Sequence, residues 1–100
     1  MLKIDLVKQG NEGELIMAGE LNANTAADAE AIINEAVSRF DKVILNMGQL
    51  EYLSSAGLRI LKRANINLKR KGGTLALKNV NKMIMEVLEL TGFAAILKFI

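Results

Sequence analysis

Ser54-Ser55-Ala56-Gly57 places two hydroxyls, an alanine and a glycine directly ahead of an apolar stretch with helical spacing that begins at Leu58. A hydroxyl at a helix start has two chemistries open to it. It can accept a hydrogen bond from an unpaired first-turn N–H and cap the helix. It can instead carry a phosphate, which the partial positive charge of the helix end tolerates. Ser54 is the candidate cap, and Ser55 suits either role. Gly57 weakens a helix by about 1 kcal/mol relative to alanine. That cost points to a steric role, with room for a partner or a phosphate to approach the backbone.

The remaining side chains exclude much other chemistry. The chain has no histidine and no cysteine. This removes the usual general base, thiolate metal sites, disulfides and every Ser-His-Asp or Cys-His arrangement. There is no Gly-rich phosphate motif, so an enzyme or a small-ligand or nucleotide-binding domain is disfavoured. No metal and no cofactor are expected. A net charge of +2 is weak for a nucleic-acid reader, which carries a concentrated basic stripe. One Tyr, three Phe and no Trp give no base-stacking platform. Arg59, Lys62, Arg63, Lys69, Arg70 and Lys71 make one segment basic. They read as a solvated face or as a rim steering an acidic partner, with Arg59 and Lys62 nearest Ser55. No apolar run approaches the roughly 20 residues of a membrane span, and Met1–Asp5 lacks a signal peptide's apolar stretch. The expectation is a cytoplasmic protein with no membrane partner.

The elements that must position Ser55 follow from periodicity. Leu2, Ile4 and Leu6 alternate with Lys3 and Asp5, the pattern of a half-buried strand. Gly10-Asn11-Glu12-Gly13 signals a turn, and Leu15–Ala18, closed by Gly19, completes a hairpin. Asn24 or Thr25 is placed to cap a helix over Ala26–Phe40, with Ala29, Ile32, Ile33, Ala36, Val37 and Phe40 on its apolar face. Val43-Ile44-Leu45 reads as a buried central strand, followed by a loop over Asn46–Leu53. The second helix runs from Ser54 or Ser55 to about Lys71, lined by Leu58, Leu61, Ala64 and Leu68 and closed by Gly72. Thr74–Leu77 is another buried strand. Asn79 or Asn81 caps a third helix carrying Ile84, Val87, Leu88 and Leu90, with Met83 and Met85 as adaptable packing. Ile96–Ile100 suits a short edge strand. Alternation of strand and helix implies parallel strands with right-handed crossovers. The fold class is α/β: a single domain over residues 1–100, with a mixed sheet of about 4–5 strands and helices packed against it. In such sheets function gathers at the carboxyl ends of the strands, where Ser55 falls.

Tyr52-Leu53-Ser54-Ser55-Ala56-Gly57-Leu58-Arg59-Ile60-Leu61 resembles the signature of the STAS domain, in particular of bacterial anti-sigma factor antagonists. Gly19–Ala26 is similar to that family's strand-to-helix segment. Gly72–Leu77 and Val87–Phe93 are similar to its closing half. The resemblance implies a partner switch. The unphosphorylated domain binds an anti-sigma factor that is also a serine kinase, and so frees the sigma factor. The kinase phosphorylates the acceptor serine, which aligns with Ser55, and a metal-dependent serine phosphatase resets it. The expected partner-binding residues are Asn22, Asn24, Thr25, Ser54, Ser55, Gly57, Arg59 and Lys62. Asn22, Asn46 and Ser54 stand where that family frequently carries acidic residues. The other role known for STAS-like domains is that of a non-switching scaffold or assembly subunit.

Overall fold

In a computed structural model describing residues 1–100, strand β1 (Leu2–Gln9) runs antiparallel to β2 (Glu12–Leu21). Their two-residue turn, Gly10-Asn11, has φ of 61° at Gly10. This is the left-handed conformation that a tight hairpin needs at its first central position. From β2 the chain alternates. Helix α1 (Ala26–Arg39), β3 (Lys42–Leu53), α2 (Ser55–Arg70), β4 (Thr74–Lys78) and α3 (Lys82–Leu90) follow, then a short 3₁₀ turn (Phe93–Ala95) and β5 (Lys98–Phe99). The sheet order is β1-β2-β3-β4-β5, and every pairing after the first is parallel.

Each crossover steps to the next strand in the same direction. With right-handed connections this puts all three helices on one face. The core lies between that face and the helices: Leu15, Met17, Val43, Leu45, Met47, Leu75 and Leu77 from the sheet against Ile33, Ala36, Leu61, Leu68, Ile84 and Leu88. On the opposite face Ile44 and Ala76 are buried, yet separate from that core. They lie among Lys42–Glu12 and Lys78–Glu14 ion pairs, at 3.3 and 3.6 Å.

The mixed sheet, the hairpin and the three helices match the expectation, but several boundaries do not. The loop expected over Asn46–Leu53 is strand, because β3 continues to Leu53. Register jumps explain the misreading. Ile16 pairs with Asn46 and Ala18 with Gln49, and Gly19 pairs with Leu50 and Glu20 with Tyr52. Each jump adds one residue to β3. The buried positions Met47, Leu50 and Leu53 therefore fall three apart, and no alternation is visible. The Asn46 Oδ1 accepts from the Gly48 N–H at 3.1 Å within the first irregularity. Likewise β2 does not stop at Gly19. It passes through that residue at φ 112° to Leu21, with the Glu20 N–H donating to the Met1 carbonyl. Ile32, expected on the apolar face of α1, is 40% exposed, and Leu90, named among the apolar residues of α3, is 88% exposed.

Helix ends fall where local chemistry directs them. Gly72, at φ 81°, closes α2. Its N–H donates to the Lys69 carbonyl, and the Gly73 N–H donates to the Leu68 carbonyl at 2.7 Å. Asn81, not Asn79, caps α3, accepting from the Ile84 N–H at 2.9 Å while its side-chain amide donates to the Leu50 carbonyl at 2.9 Å. Asn81→Ala removes both bonds and is expected to cost about 1–2 kcal/mol of stability. Urea unfolding monitored by circular dichroism reads this as a lower midpoint at unchanged slope.

Candidate functional site

The carboxyl ends of β2 and β3 are adjacent, and the loops that leave them are joined directly. Leu21 pairs with Leu53, and the next N–H, that of Ser54, donates to the Leu21 carbonyl at 2.9 Å. The β2–α1 loop, residues 22–25, therefore lies beside the start of α2.

That loop is held by its own polar side chains. The Asn22 Oδ1 accepts from the N–H groups of Asn24 and Thr25 at 2.9 and 3.1 Å. The Thr25 hydroxyl donates to the Glu20 carbonyl at 2.9 Å, and its oxygen accepts from the Asn22 N–H at 3.0 Å. Thr25 occupies the N-cap position of α1 but makes no side-chain cap bond, and its backbone is already helical. The capping expected of Asn24 or Thr25 is thus replaced by a turn closed by Asn22, the local bonding that asparagine favours. The Asn24 residue is exposed.

The two serines divide the roles that one hydroxyl could have filled. Ser54 has extended backbone, and its Oγ accepts from the Gly57 N–H at 3.3 Å, while its carbonyl accepts from the Leu58 N–H. It is the cap. Ser55 is the first helical residue and is exposed. The first turn of α2 carries no acidic side chain, and its last turn carries Lys69 and Arg70. The positive end of the helix dipole is therefore not neutralised from within the helix at Ser55. Ser54→Ala is expected to cost about 1 kcal/mol through the lost cap. Ser55→Ala should leave the thermal midpoint within a degree or two, and differential scanning calorimetry separates the two.

Gly57 does not fill the role expected of it. It is buried, and a Cβ there would stand 2.6 Å from Leu53 Cδ1 and 2.8 Å from Leu21 Cγ. The space beside it is already occupied by the last side chains of β2 and β3. The glycine lets α2 sit close over the strand ends, and so sets where Ser55 emerges.

Beside Ser55, the N-terminal halves of α1 and α2 enclose a shallow groove of about 270 Å³. Ala23, Ala26, Ala27 and Ala56 line it together with the buried Ile60, and Arg59, Arg63 and Glu30 border it. The Arg63 guanidinium pairs with the Glu30 carboxylate across the two helices. Arg59 is exposed one helical turn beyond Ser55. The structure thus gathers Asn22, Asn24, Thr25, Ser54 and Ser55 at the joined loops and sets Arg59 on the groove. Lys62 is exposed but does not line it. The alanine lining and the Glu30–Arg63 pair escaped sequence reading. The cluster of small residues at Ala23, Ala26 and Ala27 was the available signal. Nothing in the sequence links Glu30 to Arg63, which are distant along the chain.

Comparisons with known proteins place the fold and the family. A model of the STAS domain matches residues 3–100. BtrV of Bordetella bronchiseptica, a candidate anti-sigma factor antagonist, is 34% identical, the match covering 85% of this chain and 76% of the relative. Among solved structures, a candidate anti-sigma factor antagonist of Thermotoga maritima superposes with a TM-score of 0.89. It is 21% identical, over 96% of this chain and 84% of its own. The phosphorylated form of the Bacillus cell fate determinant SpoIIAA superposes with a TM-score of 0.77 at 18% identity, over 98% and 91%. The fold, with its hairpin leading into sequential parallel strands, is therefore shared with these structures. With the family matched over nearly its whole length, the chain belongs to the STAS domain family and resembles the anti-sigma factor antagonists within it.

Proposed function

We propose that this chain is an anti-sigma factor antagonist of the cytoplasm, and that phosphorylation of Ser55 switches it off. Its partner is an anti-sigma factor with serine kinase activity, and a metal-dependent serine phosphatase restores the binding form. The function is binding rather than catalysis. The single observation that carries the reading is the division of labour at α2: Ser54 takes the cap, which leaves Ser55 exposed at the helix start. A kinase can reach that hydroxyl without unfolding the helix. The resulting phosphate would sit at the positive end of the helix dipole, where it is stabilised by about 0.3–1 kcal/mol.

The alanine-lined groove beside Ser55 supports the same reading. Small side chains let another protein's side chains or helix approach the backbone closely, with Arg59 at the border to fix orientation. Ser55 and Arg59 are four residues apart and share a helix face. A phosphate on Ser55 would draw the Arg59 guanidinium toward itself and away from a partner. Phosphorylation would then both add charge to the contact and remove a contact. BtrV and the SpoIIAA structures lend the reading their names, and SpoIIAA is known in a phosphorylated form of the same fold.

The test is affinity capture of the chain's partner from source cells, with phosphopeptide mapping of bound and unbound pools. The expected result is an unmodified Ser55 in the bound pool and phosphoserine at 55 in the unbound pool. A phosphate on Ser54, or an unmodified Ser55 in both pools, would sink the switch.

A further inference from the structure

We propose that the free edge of β1 is a dimerisation surface, and that a second copy of this chain adds its own β1 in one antiparallel register centred on Ile4. The argument starts from hydrogen bonding. The Glu20 N–H donates to the Met1 carbonyl, so Met1 and Glu20 form a hydrogen-bonded pair of the β1–β2 ladder. In an antiparallel pair such positions alternate. Lys3, Asp5 and Val7 therefore bond to β2, while Leu2, Ile4 and Leu6 direct their N–H and C=O groups to the open edge. β1 has no neighbour on that side. It contains no proline and no register break against β2, so two of the usual protections of an edge are missing, and charge, from Lys3, Asp5 and Lys8, is the one present.

Charge selects the register. Two β1 strands related by a two-fold axis at Ile4 set Ile4 opposite Ile4, Leu2 opposite Leu6, and Lys3 opposite Asp5. The outward groups of Leu2, Ile4 and Leu6 then meet one another, and each such pair exchanges two hydrogen bonds. Shifting one way sets Asp5 against Asp5. Shifting the other way sets Lys3 against Lys3. Like charges directly opposite are unfavourable and opposite charges favourable, so the centred register is preferred to both shifts, and it is the one that sets Lys3 against Asp5. Lys3 and Asp5 are well exposed and lie 3.8 Å apart within the strand, available to a second copy.

The apolar face agrees. Beside β1, under α1, is a groove of about 230 Å³ lined by Ile4, Leu6, Leu15, Ile32 and Ala36, with Glu35 and Arg39 also lining it. Leu6 and Ile32 are 41% and 40% exposed there. In the centred register Leu2 of the second copy stands next to Leu6 on this face and covers the groove. The product is a continuous ten-stranded sheet with the two α1 helices side by side. Ser55 follows β3, two strands away from this edge, so each copy keeps its proposed switch.

Sedimentation equilibrium of the full chain across micromolar to millimolar concentration tests the assignment. The expected result is reversible association to twice the monomer mass. Asp5→Lys, which sets lysine against Lys3 of the second copy, should weaken association at least tenfold. The swap Lys3→Asp with Asp5→Lys recreates the opposite-charge pairs and should restore it. Circular dichroism on each variant checks that these exposed changes leave the fold intact. A wild-type chain that stays monomeric to millimolar concentration would overturn the proposal. So would a dimer indifferent to Asp5→Lys, or a swap that fails to restore it.

Discussion

Ser55→Glu is expected to weaken binding of the proposed anti-sigma factor partner about a hundredfold while leaving the folding free energy within about 0.5 kcal/mol of wild type. The two halves of that expectation have separate causes. Stability is indifferent because Ser55 is exposed and the cap belongs to Ser54. A carboxylate at the first helical position meets the positive end of the dipole. Four residues before Arg59, it also forms a helix-surface pair worth about 0.2–0.5 kcal/mol. Affinity is sensitive because the neighbouring groove is lined by alanines. A partner that fits small side chains sits close to the backbone, and a new charge at its rim must lose water without a guaranteed counter-charge. About 2.8 kcal/mol suffices for a hundredfold loss. Glutamate carries one charge where phosphate carries about 1.5 to 2, so a phosphate on Ser55 should have a larger effect than the mimic. Titration calorimetry of the captured partner against wild type, Ser55→Ala and Ser55→Glu measures this, with Ser55→Ala binding constitutively. Equal affinities for all three would remove Ser55 from the interface.

What the sequence revealed and what it hid follow from how locally each feature is encoded. The β1–β2 hairpin was legible because alternation and a glycine turn are both short-range signals. So was Gly72, because a helix end needs a left-handed residue at that point whatever lies around it. The second half of β3 was not legible. Its two added residues are answered only by β2, and they move the buried positions to a spacing of three, which matches neither strand nor helix. The start of α1 failed for a related reason. Asn22, Asn24 and Thr25 are all residues that cap, and only the fold of the loop shows that Asn22 closes a turn while Thr25 bonds back to Glu20. At α2 the sequence favoured Ser54 as the cap but left Ser55 able to take that role. The extended backbone at Ser54 resolved it. The position of Ser55 at the strand ends was legible, since strand ends followed by a helix start can be read from the order of elements alone. The groove beside it was not, because it needs α1 and α2 together.

Gly57→Val is expected to destabilise the isolated domain by about 3 kcal/mol, the upper part of the usual range for overpacking a core. The Cβ would enter a space where Leu53 Cδ1 and Leu21 Cγ lie at 2.6 and 2.8 Å, and both leucines are buried at the strand ends. Replacing glycine within a helix returns up to about 1 kcal/mol of propensity for alanine, and less for β-branched valine. Gly57→Ala should therefore fall well below Gly57→Val in cost. The crowding has a specific partner, so it should be partly relieved by making room. Gly57→Val combined with Leu53→Ala is expected to be less destabilised than the sum of the two single changes by about 1–3 kcal/mol, a coupling typical of residues in contact. Urea unfolding of the four members of that cycle gives the number. The outcome also separates Gly57 from Ser55 in function. A valine that lifts α2 off the strand ends moves Ser55, so partner binding and stability should fall together. Ser55→Glu should lower binding alone. If Gly57→Val kept full stability and lost only the partner, the glycine would be a contact surface. The packing of Leu21 and Leu53 against it would then be incidental.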